Sequence, residues 1–208
     1  MRALTGNTLV PRTPQHQPLL FLDVDGPLNP YAAQPEQCPK GFITLRVGER
    51  PGTRQPPHLW LNPDHGQSLL RLGFELCWAT TWMEEANHWI GPALGLPQLP
   101  WVDFGDSLLR ERPDGVHWKT EPLLRYANGR PFAWVDDEQS DLDHAYVAAH
   151  HPSPALLHHV NPRIGLRQDD FLALLTFARS HKCTVSGRAY THTHLEPRPA
   201  HRVGSCTG

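Results

Sequence analysis

The run Pro18-Leu19-Leu20-Phe21-Leu22-Asp23-Val24-Asp25-Gly26 decides how the rest of the chain is read. Its apolar half is short, continuous and bounded by turn residues, which is the pattern of a strand covered on both faces in a parallel sheet. Its polar half places two aspartates and a glycine where that strand ends. Asp-x-Asp-Gly alone is a common turn, so its meaning depends on the rest of the chain.

Outward from this run, strands and helices alternate. A polar, proline-broken stretch from Asn29 to Pro57 holds a hairpin pattern in Phe42 to Val47 and Leu59 to Leu61. Asn62-Pro63-Asp64 reads as a helix start, with Asn as cap and Pro at the first helical position, and the helix stops at Gly73. Phe74 to Trp78 is a strand leading into Ala79-Thr80-Thr81-Trp82, and a helix from Glu84 to about Ile90 is closed by Gly91-Pro92. A weaker strand spans Leu99 to Phe104. At His117-Trp118-Lys119-Thr120 a helix starts that runs through Leu123, Leu124 and Tyr126 and ends at Asn128-Gly129, and the strand Phe132 to Val135 runs into Asp136-Asp137. The helix Leu142 to Ala149, the strand Ala155 to Val160 and the helix Asp169 to Ala178 complete the order. Such alternation predicts an α/β fold with a mainly parallel sheet.

The 208 residues suit one domain with ragged ends. We expect a flexible segment over 1–17, a folded body over 18–181 with a small flap at about 30–57, and a disordered tail over 182–208, where apolar periodicity is missing. A net charge of -2 gives no general attraction to nucleic acid or to an acidic membrane surface. The cysteines, Cys38, Cys77, Cys183 and Cys206, form no CxxC pair, which argues against a zinc cluster or a disulfide framework. No stretch is apolar enough for a signal peptide or a membrane span, so a cytoplasmic protein is expected. His150-His151 and His158-His159 are poor joint metal ligands, since neighbours on a strand point to opposite faces. Trp78, Trp82, Trp118 and Trp134 flank the polar residues, where they line a pocket or, for Trp78 and Trp134, pack in the core.

Ligands of an open parallel sheet bind outside the carboxyl ends of its strands. Asp23 and Asp25 follow the first strand, Thr80 follows another, and Asp136-Asp137 follow a third, with Lys119 at a helix start. Singly, each has a plain structural use as a turn, a cap or a solvated charge. Together they form the set that phosphoryl transfer from a monoester needs. In this order they resemble the four motifs of the haloacid dehalogenase (HAD) superfamily: Asp23-Val24-Asp25-Gly26, Thr80, Lys119, and Asp136-Asp137 with Asp141. The wording around Asp23 and in Trp78-Ala79-Thr80-Thr81-Trp82 is similar to the HAD domain family of Swiss-army-knife RNA repair proteins. The resemblance implies a Rossmann-like three-layer α/β/α sandwich, here with a small flap and no large cap, and a Mg2+-dependent phosphatase.

In that reading Asp23 is the nucleophile, because an aspartyl-phosphate splits one hard displacement into two easier ones. Asp25 is the general acid and base, Thr80 donates to the phosphoryl group, and Lys119 neutralises the charge shared by Asp23 and phosphate. Mg2+ is assigned to Asp23 and Asp137, with the Asp25 carbonyl added by resemblance and Asp136 and Asp141 orienting or supplementing the set. The substrate is expected to be a small phosphorylated molecule or a nucleic-acid end reaching an open site, with Lys40, Arg46, Arg50 and Arg54 of the flap meeting phosphates. A phosphotransferase or mutase, and a module that binds a metal or phosphorylated ligand without turnover, are the alternatives. A response-regulator-like receiver fits the flap and the second acid poorly.

Overall fold

The computed structural model describes residues 17–33, 38–48 and 58–181. The expectations placed on 1–16, on 182–208, and on Arg50 and Arg54 lie outside the described residues.

Strand β1 (Leu19–Leu22) lies inside a four-stranded parallel sheet of order β4-β1-β5-β6, formed with β4 (Glu75–Trp78), β5 (Phe132–Asp136) and β6 (Ala155–His159). All of β1 is buried, as a continuous apolar run requires. Side chains on a strand alternate between faces, and that alternation divides the interior. Leu20, Leu22, Leu76, Trp78, Ala133 and Val135 meet Leu69 of α1 (Asp64–Arg71), Ile90 of α2 (Glu85–Leu94) and Leu174 of α5 (Gln168–His181). Leu19, Phe21, Cys77, Phe132 and Trp134 meet Leu123 of α3 (Thr120–Ala127) and Val147 of α4 (Asp141–His150). Helices therefore cover a mainly parallel sheet on both faces, the layering of a Rossmann-like fold. From β1 the chain goes to β4 on one side and later to β5 on the other. In open parallel sheets ligands bind where the strand order reverses, outside the carboxyl ends, which here is the end of β1.

Two expectations are corrected. The helix begun near Glu84 does not close at Gly91-Pro92: α2 runs on to Leu94 and ends at Gly95, in the left-handed region at φ 66°. Pro92 sits in the last turn, where its missing N–H costs one bond, and buried Ile90 and Leu94 hold that turn to the core. The stretch Leu99 to Phe104 supplies only a single bridge, Trp101 beside Trp78. Pro97 and Pro100 lack donors there, and the side chain of Asn87 takes both backbone groups of Leu99.

The insert after Asn29 is a docked hairpin. Strands β2 (Ile43–Arg46) and β3 (His58–Leu61) pair antiparallel, and Val47, Leu59 and Leu61 are buried in the first core. A lone two-stranded ribbon is marginal in water, so this packing holds it. Lys40 and Arg46 remain exposed on it.

His65, in the first turn of α1, is packed edge-on against Phe42 and near Phe171, with its Nδ1 buried and unpartnered. Burial lowers its pKa to about 4, against the opposing pull of Asp64 and Asp170. The unfolded chain, with an ordinary imidazole near 6.5, binds the proton first, so stability falls as pH falls from about 6.5 to 4. The expected loss is about 3 kcal/mol across that window. Urea unfolding of wild type and His65→Leu at several pH values checks it: the variant should lose less stability over the same range.

Candidate active site

The alternation that sorts the core also aims the polar residues. Phe21 and Trp134 face α3 and α4, so Asp23 and Asp136, two residues further on, point the same way. The pairing of Leu22 with Val135 sets them level on neighbouring strands, and Asp23 N–H donates to the Val135 carbonyl (3.1 Å). Lys119, just before α3, reaches up from that face. Its Nζ donates to Asp23 Oδ2 and to Asp136 Oδ2, each at 2.7 Å, and it is 1% exposed. A buried ammonium between two buried carboxylates is strongly held, since separating them would strand charge away from water. Burial favours the neutral amine, but Asp23 and Asp136 outweigh it and hold the Lys119 pKa above the usual lysine range.

Lys119 is itself anchored by its neighbours. Asp143 is fully buried and accepts from His117 N–H (2.8 Å) and Thr120 Oγ1 (2.6 Å), while its other oxygen takes Ser140 N–H and Oγ at the start of α4. Burial would raise its pKa, but these bonds lower it. His117 Nδ1 accepts from Lys119 N–H (3.2 Å), which leaves Nε2 to donate to Glu138 (3.1 Å). The turn before α3 is thus tied to the loop after β5.

Asp137 completes the acidic group: one carboxylate oxygen each of Asp23, Asp136 and Asp137 lie within 4.8 Å of one another. Asp136 is the most heavily bonded of the three, since Oδ2 also takes Trp134 Nε1 (3.0 Å) and Oδ1 takes Glu138 N–H (3.0 Å), whereas Asp23 has Val24 N–H on Oδ1 (2.7 Å) and Lys119 on Oδ2. Asp137 accepts from the Tyr31 hydroxyl on Oδ2 (3.0 Å), and its Oδ1 lies over Gly26, where a Cβ would collide with it. Burial pushes Asp137 up to about 6, with Tyr31 opposing and Asp136 and Glu138 adding to the rise. Asp23 is pushed up to about 8, first by burial, with Lys119 pulling down and Asp136 and Asp25 pushing up. Fully ionised, the three carboxylates would leave two negative charges unmatched by the one ammonium, and that repulsion adds to burial in raising Asp23 and Asp137. Hard oxygen donors grouped in this way could hold a divalent cation, with Asp23 and Asp137 less encumbered than Asp136.

No protein-family model, curated protein or solved structure matches the chain. The chemistry of the site is therefore read from its own geometry.

Asp25 lies in the turn beyond Asp23, half-buried, with Oδ1 accepting from Asn29 Nδ2 (2.8 Å) and Oδ2 from Trp82 Nε1 (2.9 Å). Thr80, two residues past β4, is buried, and its Oγ1 accepts from Trp82 N–H (3.4 Å); it makes no hydrogen bond to Asp23 or Lys119. Asp141 is not brought into the group: it opens α4, exposed to solvent, and Asp143 is the buried acid of that segment. The signature Ser140-x-x-Asp143 is a capping pattern and marks its local role; its reach to His117 and Thr120 had no local signal.

The tryptophans separate. Trp78 and Trp134 are buried in the core, with indole N–H groups on Asn87 and Asp136. Trp82 is 4% exposed and offers no stacking face. Trp118 lies between Lys119, whose Nζ is 5.4 Å from its ring centroid, and a cavity of about 320 Å³ lined in part by Ser107, Arg110 and Arg112. Arg112 is spent on Asp114 and Glu121 at 2.7 Å each. His150 and His151 bond the separate carbonyls of Tyr146 and Arg130, and His158 pairs with Asp170. No helix among the described residues is long and apolar enough to cross a membrane.

Proposed function

We propose that this chain is a Mg2+-dependent phosphohydrolase of the haloacid dehalogenase type that cleaves a phosphate monoester through an aspartyl-phosphate at Asp23. The observation that carries the reading is one buried ammonium, Lys119, bridging aspartates on adjacent parallel strands, with Asp137 beside them.

Asp23 attacks phosphorus as the bond to the ester oxygen breaks, and protonated Asp25 gives its proton to that leaving oxygen. Water then attacks the aspartyl-phosphate, Asp25 takes the water proton, and inorganic phosphate leaves with Asp23 restored. Lys119 balances charge on Asp23 and the phosphoryl oxygens throughout. Thr80, whose hydroxyl only accepts among the described residues, keeps its proton for a phosphoryl oxygen. Mg2+ at Asp23 and Asp137 would screen the repulsion between carboxylate and phosphate. Asp136 holds Lys119. The substrate class is a small phosphorylated molecule or a nucleic-acid end, which the exposed Lys40 and Arg46 of the hairpin suit.

The test is phosphate release from p-nitrophenyl phosphate, phosphorylated oligonucleotides and small phosphorylated metabolites, with Mg2+ or with EDTA. Wild type should turn over only with Mg2+, and Asp23→Asn should fall by about 10⁴-fold or more. Failure of wild type on every ester, or an active Asp23→Asn, would overturn the proposal.

A further inference from the structure

The proposed mechanism asks Asp25 to hand over one proton along one direction, yet Asp25 is the partly exposed residue of a turn whose other members, Val24 and Gly26 to Asn29, are buried, and its short side chain would rotate if unheld. Two buried donors prevent this. Trp82 Nε1 donates to Oδ2 at 2.9 Å and Asn29 Nδ2 to Oδ1 at 2.8 Å, so both carboxylate oxygens are pinned and the plane of the group is set. Trp82 is 4% and Asn29 5% exposed, so these donors do not exchange freely for water.

The Asn29 amide cannot turn over without loss. Its Oδ1 accepts from Trp60 N–H (3.1 Å) on β3, and a flip would set acceptor against acceptor at Asp25 and donor against donor at Trp60. The turn reinforces it: Asn29 N–H donates to the Val24 carbonyl and Gly26 N–H to the Asn29 carbonyl, both at 2.8 Å. The docked hairpin thus reaches the reacting carboxylate through Asn29, and Trp82 reaches it from the turn that follows β4.

We infer that Trp82 and Asn29 are positioning residues that hold the Asp25 carboxyl in the orientation that protonates the leaving oxygen. The inference rests on the phosphohydrolase reading above. It makes a demand that simple packing does not. Help from a general acid matters most when the leaving group is a poor one, such as an alkoxide, and least for an acidic phenol that departs as its anion.

The experiment measures kcat/KM with Mg2+ for a series of aryl phosphates of graded phenol acidity, ending in an alkyl phosphate. Trp82→Phe keeps the ring and removes the N–H. It should lower kcat/KM for the alkyl ester by on the order of tenfold, a fraction of what general acid catalysis supplies, and leave p-nitrophenyl phosphate within about twofold. Asn29→Ala should steepen the same dependence, which keeps the idea open to test if Trp82→Phe does not fold. In an Asp25→Asn background, neither change should have a further effect on the alkyl ester. Equal losses across all esters, or none, in a folded variant would overturn the positioning role while leaving the phosphohydrolase intact. A wild type inactive on every ester would overturn both.

Discussion

Lys119→Met is expected to abolish turnover and to destabilise the fold by about 3–5 kcal/mol at pH 8, the cost of leaving buried charge without its partner. The side chain is 1% exposed, and its ammonium is 2.7 Å from both Asp23 and Asp136. Methionine fills nearly the same volume, so the loss reports charge and not a cavity. Without the ammonium, Asp23 and Asp136 face each other and Asp137 with no cation among them, and protonation becomes their relief. The carboxylates of the variant then have raised pKa values in the folded state, and an acid with a raised folded pKa gains stability as pH falls. Urea unfolding of both proteins from pH 8 to pH 5 should therefore show the gap between them narrowing toward acid. Added Mg2+ should restore part of the variant's stability by binding the folded state, without restoring turnover. A variant as stable as wild type at pH 8 would mean that the bridge contributes nothing to the fold.

How this bridge was legible in the sequence follows from its parts. Asp23, Asp136 and Asp137 stand directly after apolar runs, so strand ends could be read from local pattern and the parallel sheet from the alternation of elements. Lys119 was legible as a helix start, but its contact with Asp23 spans 96 residues, and only the joint motif order pointed to it. The residues that hold the site in place left weaker traces. Asn29, Tyr31, Trp82 and Glu138 act through single side-chain bonds to Asp25, Asp137 or His117 that no periodicity encodes. Motif spacing points to Asp141, whereas the capping geometry of α4 turns Asp141 outward and brings Asp143, which that spacing does not mark, inward. Local propensity at Gly91-Pro92 favours a stop, but the buried Leu94 carries α2 a turn further, a packing effect with no local signal.

Gly26→Ala is expected to weaken Mg2+ binding on the order of 10–100-fold, the scale seen when the support of a metal ligand is removed, and to cost the fold about 2–4 kcal/mol. Two separate features of Gly26 set these effects. Its φ of 90° lies where a side chain is strained whatever the space, and an added Cβ would stand 2.8 Å from Asp137 Cβ and closer still to its carboxylate. The carboxylate is short and tethered by Tyr31, so it cannot yield by a small rotation without breaking that bond. Backbone strain alone would lower stability and leave cation affinity unchanged, whereas displacement of Asp137 would lower both. Calorimetric titration of Mg2+ into wild type, Gly26→Ala and Asp137→Asn separates the two. Affinity in Gly26→Ala should fall toward that of Asp137→Asn, and Tyr31→Phe, which frees the carboxylate to move, should return part of it when combined with Gly26→Ala. Unaltered Mg2+ affinity in a folded Gly26→Ala would remove Asp137 from the ligand set and return the choice to Asp136, whose Oδ1 keeps a lone pair beside its bond from Glu138 N–H while Oδ2 stays with Lys119 and Trp134.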